Sequence, residues 1–294
     1  NGSRSWDPQI HNELFYARVL SGGSLGLGES YMDGWWDCQA LDQLSYKLLS
    51  GRIDEQVKAT NLGLLFNAIK AHILNAQTKK RAYIVGRKHY DIDNALFSLM
   101  LDERMNYSCG YWRNAKNLEQ AQINKLDLVC RKLHLKPGMS VLEIGCGWGG
   151  FAKYAAENYG VSVHGISISK EQVKYAEASC KGLNTSFEFK DYRELNTEYD
   201  SIVSIGMFEH VGYKNYKEYM EVANRCLKDD GLFLLHTIGR NSSGRATDPW
   251  INKYIFPNGM TPSSKQISDA VEDIFVVEDW HNFGQDYDAT LMSW

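Results

Sequence analysis

A glycine-rich run, Gly145-Cys-Gly-Trp-Gly-Gly150, follows a short apolar stretch and opens a helix-compatible one. Glycines at such a turn let the backbone approach a ligand closely, and the helix N-terminus that follows offers unpaired N–H groups. A nucleoside-containing cofactor is the ligand such a loop would suit. A dinucleotide site would add the spacing G-x-G-x-x-G and an acid after the second strand for the ribose diol. This chain has Gly165-Ile-Ser-Ile-Ser169 there, with Ser167 and no carboxylate, which argues against NAD.

A second group of reactive side chains is scattered: Cys109, Glu209 next to His210, and His236. Taken singly they have ordinary readings, as a small buried hydrophobe, polarity at a strand end and a satisfied core histidine. Position favours Glu209 and His236, because both fall at or near the C-terminal ends of predicted parallel strands, where open α/β sheets bind ligands. The three side-chain types include metal ligands, but no tight ligand spacing accompanies them, so no metal is expected.

The elements that must position these groups read clearly. Apolar runs predict strands at Ser140–Ile144, Val161–Ile166, Ser186–Phe189, Ser201–Gly206 and Gly231–Ile238. Helices are predicted at Phe151–Asn158, Lys170–Cys180 and Asn215–Leu227. Serial alternation of strand and helix with short loops predicts a mostly parallel, doubly wound sheet.

The first 75 residues read instead as a small helical domain, with apolar spacing at Leu14, Ala17 and Val19-Leu20, at Leu41, Leu44 and Leu48-Leu49, and at Leu62, Leu65, Ile69 and Ile73. Between the first two helices, Gly22 to Gly28 reads as a turn leading into an aromatic cluster that ends at Trp35-Trp36. That pair suits either a packed bundle or an apolar-ligand surface. From Lys70 to Tyr90 the chain carries six Lys and Arg and no Asp or Glu, which suits either a solvated face or attraction to an anionic lipid surface. The expected layout is a helical domain at 1–75, a basic linker at 76–90 and a sheet domain at 91–294.

Composition sets the outer bounds. With 294 residues and 44% hydrophobic content the chain has apolar surface enough for one large core or two unequal ones, which excludes a disordered chain. A formal net charge of −4 argues against a nucleic-acid binder that relies on bulk positive charge. No uncharged apolar stretch approaches the ~20 residues of a spanning helix. Six Cys without a CxxC pair read as reduced thiols, and no signal-peptide pattern opens the chain. It begins at Asn1 and stops at Trp294 within an apolar, helix-compatible run, so the expectation is a fragment lacking sequence at both ends.

The motif Val141-Leu-Glu-Ile-Gly-Cys-Gly-Trp-Gly149 resembles the first motif of Rossmann-like methyltransferases that use S-adenosylmethionine (SAM). Most of that class carry an acid after the second strand; one branch uses a hydroxyl, which Ser167 with Gln172 matches. That branch is the cyclopropane fatty acid synthases and mycolic acid cyclopropane synthases. Further blocks carry the resemblance along essentially the whole chain: the run from Gly23 to Trp36, Tyr107 to Tyr111, Gly206 to Gly212, Leu235 to Gly239, and Asp248 to Gly259. The N-terminal block points to the bacterial phospholipid enzymes.

The resemblance implies transfer of the methylene equivalent of the SAM methyl to a cis double bond of a phospholipid acyl chain, with S-adenosylhomocysteine as the other product. It implies a carbocation deprotonated by a bound bicarbonate ion, held by Cys109, Glu209, His236, Tyr287 and the backbone at Ile238. An ionised Glu209 would repel that anion, so it either shares a proton or orients a neighbouring donor. For SAM it implies Tyr107, Ser108, Val141, Leu142, Glu143, Ile144, Gly145, Cys146, Gly147, Trp148, Gly149, Ser167, Gln172, Tyr192 and Ile205. Tyr192-Arg193 departs from the Trp-Glu pair of the mycolate relatives. Tyr107, Tyr111, Trp112 and Phe208 are candidates to face a cation with their rings. A lipid-binding, dimer-supporting N-terminal domain is implied too, and with it a homodimer that is cytoplasmic and peripherally associated with the inner face of the cell membrane. A methyl-branched product and a non-catalytic membrane-surface protein are the rival readings.

Overall fold

The computed structural model describes residues 2–51, 94–244 and 247–294. The helix expected around Leu62 to Ile73 and the basic run from Lys70 to Tyr90 lie outside the described residues. The described residues form two compact units, 2–51 with 247–257, and 94–244 with 258–294.

In the larger unit five parallel strands run in the order β5-β4-β3-β6-β7. They are β3 (Ser140–Ile144), β4 (Ser162–Ser167), β5 (Thr185–Phe189), β6 (Tyr199–Ile205) and β7 (Leu227–His236). This is the doubly wound sheet the alternation predicts. Strand order reverses between β3 and β6, so the crevice for a ligand opens at their C-terminal ends. Central β3 is buried on both faces, as a strand covered by helices on each side must be. Val141 joins Val163 and Val203 in a core with Leu126 and Val129 of α4 (Leu118–Lys132) and Phe151 and Ala155 of α5 (Gly150–Tyr159). Leu142 and Ile144 face the other way, with Ile202, against Tyr219, Met220 and Ala223 of α7 (Tyr216–Arg225). Each wholly buried aliphatic side chain contributes roughly 1.5–3 kcal/mol, so the strand that carries the glycine loop is anchored on two sides. The remaining helices of this unit are α3 (Asn94–Met100), α6 (Lys170–Ser179), α9 (Ser264–Val271) and α10 (Asp286–Ser293).

The last strand departs from expectation at both ends. It starts at Leu227, which pairs with Tyr199 ahead of a register shift. It stops at His236, because Ile238 turns its N–H out of the ladder.

In the smaller unit β1 (Gln9–Ile10) pairs with β2 (Trp36–Asp37), around α1 (Leu14–Met32) and α2 (Leu41–Ser50). The expected turn from Gly22 to Gly28 is instead helix, interrupted only at Gly23 (φ 57°, ψ −134°). Close packing explains the other glycines: a Cβ on Gly26 would lie 2.2 Å from the Arg18 carbonyl oxygen, and one on Gly28 would lie 2.3 Å from the Trp250 ring. Residues 247–257, expected in the sheet domain, fall in this unit. Their helix α8 (Pro249–Tyr254) is held by Glu29, whose carboxylate accepts from Lys253 and from the Tyr254 hydroxyl. Trp36 is core: its Nε1 donates to the Leu27 carbonyl and Ser30, and Phe15 and Tyr31 pack on it.

Candidate active site

The glycine loop leaves the end of β3 and enters α5. Gly145 (φ 88°) could carry no side chain, since its Cβ would lie 2.7 Å from Met207. A Cβ on Gly147 would meet nothing within 4 Å, so the loop borders open space there. A left-handed Gly149 then starts α5, whose first N–H groups have no acceptor within the helix. At the end of β4, Ser167 Oγ donates to Gln172 Oε1 at 2.9 Å and accepts from Ser169 N at 3.1 Å. Both side chains are buried. Glu143 lies beneath the loop, accepting from the Ala152 amide, and burial pushes its pKa well up.

Not every residue in the expected cofactor set reaches the crevice with its side chain. Val141, Leu142 and Ile144 are spent on the two cores, because a central strand has no free face. Trp148 is buried against Phe97, with its Nε1 donating to Asn94. Tyr192 packs edge-on to Tyr219, its hydroxyl accepting from Arg193. Ile205 ends β6 opposite His236. Cys146 is buried beside the loop, and Tyr107 packs on Phe97 and Trp294.

The second group converges from four places. Met207 to His210 follow β6, His236 ends β7 with Ile238 just beyond it, Cys109 lies ahead of α4, and Tyr287 is on α10. Glu209 Oε1 accepts from Ile238 N at 2.7 Å, while its Oε2 is buried with no hydrogen-bond partner. The Ile238 amide, expected to face an anion, is therefore committed to Glu209. His236 Nδ1 is likewise buried and unpartnered, and its ring stacks on Phe283. Burial, helped by the positive charge of Lys125, pulls its pKa down to about 3, so the imidazole is neutral. Burial pushes the Cys109 thiol up to about 11, and Sγ donates to the Gly110 carbonyl at 3.4 Å. Tyr287 lies within electrostatic reach of Glu209, Cys109 and Tyr107, and burial raises its pKa too. Burial also raises Glu209, favouring its protonated form.

Phe208 corrects an expectation. It is wholly buried, stacked on Tyr216 at 4.2 Å with Tyr219 at its edge, so neither face is free for a cation. Trp112 donates its ring N–H to Thr290, and Tyr111 packs on His281 and Phe283. Sequence reasoning missed Lys125, 1% exposed, whose Nζ donates to Ser108 Oγ at 2.6 Å. The signal was its i, i+4 spacing from Ala121 and Val129, which sets it on the inward face of α4.

A doubly wound sheet with a glycine loop ahead of α5 and a hydroxyl–amide pair after β4 defines a SAM-dependent methyltransferase of the Rossmann-like class. Open space beside Gly147 and buried, unpartnered polar atoms on Glu209 and His236 fit a polar cofactor and a small polar ligand. The family model for mycolic acid cyclopropane synthetase matches residues 77–294, and the chain belongs to that family. It is 56% identical over 294 residues to the cyclopropane-fatty-acyl-phospholipid synthase of Escherichia coli K12, covering 100% of this chain and 77% of that protein. Among solved structures, the cyclopropane synthase MmaA2 of Mycobacterium tuberculosis superposes with a TM-score of 0.67 at 32% identity, over 72% of this chain and 81% of that one. Mycolic acid cyclopropane synthase CmaA1 complexed with SAH and CTAB gives a TM-score of 0.66 at the same identity and coverage.

Proposed function

We propose that this chain is a SAM-dependent enzyme that adds a methylene to a cis double bond in a phospholipid acyl chain, closing a cyclopropane ring. The observation that carries this reading is the convergence of Cys109, Glu209, His236 and Tyr287, mostly buried and polar, beside the glycine loop of a chain so similar to a lipid cyclopropane synthase. Bound SAM supplies an electrophilic methyl group on a sulfonium centre. The loop from Gly145 to Gly149, with Tyr107, Ser108, Ser167 and Gln172, would hold and orient it, and the surrounding core excludes water.

An alkene is a weak nucleophile, and methyl addition leaves one proton to be removed before the ring closes. Bicarbonate, the base that family resemblance implies, supplies a proton acceptor that no side chain here supplies by itself. The side chains suit such an anion because they are neutral. Tyr287 and the Cys109 thiol keep their protons at neutral pH, and His236 carries one on a ring nitrogen without a net charge. Glu209, with its pKa raised, fits a shared proton and positions the Ile238 amide. The same high pKa makes Cys109 a poor nucleophile, which argues against covalent catalysis.

No helix among the described residues is long and apolar enough to cross a membrane. The smaller unit nonetheless exposes large apolar side chains, including Leu20 and Leu49 at 75% each and Tyr46 at 73%. We assign that surface to contact with the lipid substrate, in a homodimer working at the cytoplasmic face of the membrane. Incubation with methyl-labelled SAM and vesicles of unsaturated phospholipid tests the whole reading. Label should enter the lipid, with a gain of one CH2 and loss of the double bond. Unlabelled lipid would sink the enzyme reading, and a product that retains the double bond would replace the ring with a methyl branch.

A further inference from the structure

The buried ammonium of Lys125 has an incomplete environment. Its Nζ has three donors and makes one hydrogen bond, to the neutral Ser108 hydroxyl. Among the described residues no carboxylate comes within ion-pair distance of it. Asp102 and Glu143 attract it from beyond that distance. Asp102 accepts from the Asn106 amide at 2.6 Å, from Asn106 Nδ2 at 2.8 Å and from the Arg104 amide at 3.3 Å. Glu143 accepts from the Ala152 amide with one oxygen; its Oε2 is buried without a hydrogen-bond partner, and no ion pair joins it to Lys125.

The segment above Lys125 is held firmly. Gln122, one helical turn earlier on α4, donates to the carbonyls of Ser108 at 2.9 Å and Asn106 at 3.4 Å. Ser108 also lies against Gly206 at the end of β6, where a Cβ would come 3.9 Å from its own. Helix α4 therefore delivers one positive charge with no direct ion-pair partner among the described residues to the segment of Tyr107, Ser108 and Cys109. A cation in a dry site is tolerated where an anion completes it.

We propose that Lys125 is a positioning residue, whose ammonium acts through the Ser108 hydroxyl as counter-charge to a carboxylate-type oxyanion bound over the Tyr107–Cys109 segment. Two ligands of the proposed reaction carry that chemistry, the carboxylate of the SAM aminoacyl end and bicarbonate, so the inference rests on that reading. Ser108 touches the ligand; Lys125 fixes the direction of its O–H and the sign of the local field.

Calorimetric binding to the Lys125→Met variant separates the sources. The probes are S-adenosylhomocysteine and its decarboxylated analogue, each measured with the unaltered chain and with K125M. If the aminoacyl carboxylate is the partner, K125M binds S-adenosylhomocysteine about tenfold more weakly, the scale of one lost charge-assisted hydrogen bond, and binds the analogue as before. If bicarbonate is the partner, both affinities hold, and the bicarbonate concentration for half-maximal lipid methylation rises about tenfold while the rate at saturating bicarbonate is kept. Equal weakening of both probes, or neither probe nor bicarbonate responding, overturns the proposal. Should K125M not fold, Ser108→Ala removes the relay and must show the same selective loss; unchanged selectivity there overturns it as well. An unaltered chain that binds neither probe would instead remove the SAM reading, and this proposal with it.

Discussion

The two halves of the site are built differently. Around the glycine loop the polar groups that line the turn satisfy one another, Ser167 with Gln172 and Ser169, Gly145 and Cys146 amides with the Ile166 carbonyl, and the exception, Glu143 Oε2, lies beneath the loop. At the ends of β6 and β7 they do not, and Glu209 Oε2 and His236 Nδ1 are left buried without partners. An unsatisfied buried polar atom costs about 1–3 kcal/mol, so the second half is the part that gains most from a ligand. The difference separates a loop set by backbone geometry, the proposed cofactor cradle, from the set of side chains proposed to handle the proton.

Damage to each half should therefore be separable. The largest effect is expected from His236→Ala or Glu209→Gln: turnover falls about 10²–10⁴-fold, the range for a positioned proton-handling group, while S-adenosylhomocysteine binding by calorimetry stays near that of the unaltered chain. Loss of cofactor affinity in these variants would break the division. Gly145→Val should do the reverse. Its side chain would enter the space held by Met207 at a left-handed φ, so affinity for S-adenosylhomocysteine should drop at least about tenfold, with ~1–3 kcal/mol lost in urea unfolding.

The buried imidazole sharpens the comparison through pH. His236 has a folded pKa of about 3 against 6.5 for the free side chain, so the folded chain resists a proton that the unfolded chain accepts. Its contribution to stability is complete above pH 6.5 and is lost as pH falls from there toward 3, at up to ~1.4 kcal/mol per pH unit. His236→Gln should flatten that part of the acid limb when thermal midpoints are followed from pH 7 to 4. Glu209 runs the opposite way, its raised pKa stabilising the fold at low pH and losing that contribution as pH rises past 4.5. The smallest effect is expected far from either half. Leu20→Ser with Leu49→Ser should weaken sedimentation with anionic vesicles several-fold, because each Leu at a lipid surface gains only a small part of the ~1.5–3 kcal/mol of full burial, and leave S-adenosylhomocysteine binding alone.

Most of the sheet was legible because its strands are short apolar runs punctuated by glycine, and the loop after Ile144 shows in residue types alone. The first helix was not, because glycine between residues 22 and 28 reads locally as a turn; only packing against Arg18 and Trp250 shows why small residues are needed inside a helix. Phe208 illustrates the same limit. An aromatic beside Glu209 looks available for a cation, but Tyr216 and Tyr219 arrive from a helix later in the chain and cover it. Lys125 escaped notice because a lysine in a helix is ordinarily solvated, and its burial depends on the 106–109 segment closing over it.

What the residues determined alone is local: strand and helix periods, the glycines that a strand-to-helix turn requires, and a hydroxyl where a dinucleotide site would want an acid. Tertiary structure decided the rest, since desolvation and pairing arise only when distant segments meet. It brought Cys109, Glu209, His236 and Tyr287 together from four parts of the chain, turned the Ile238 amide onto Glu209, and left one buried ammonium with no carboxylate at ion-pair distance among the described residues.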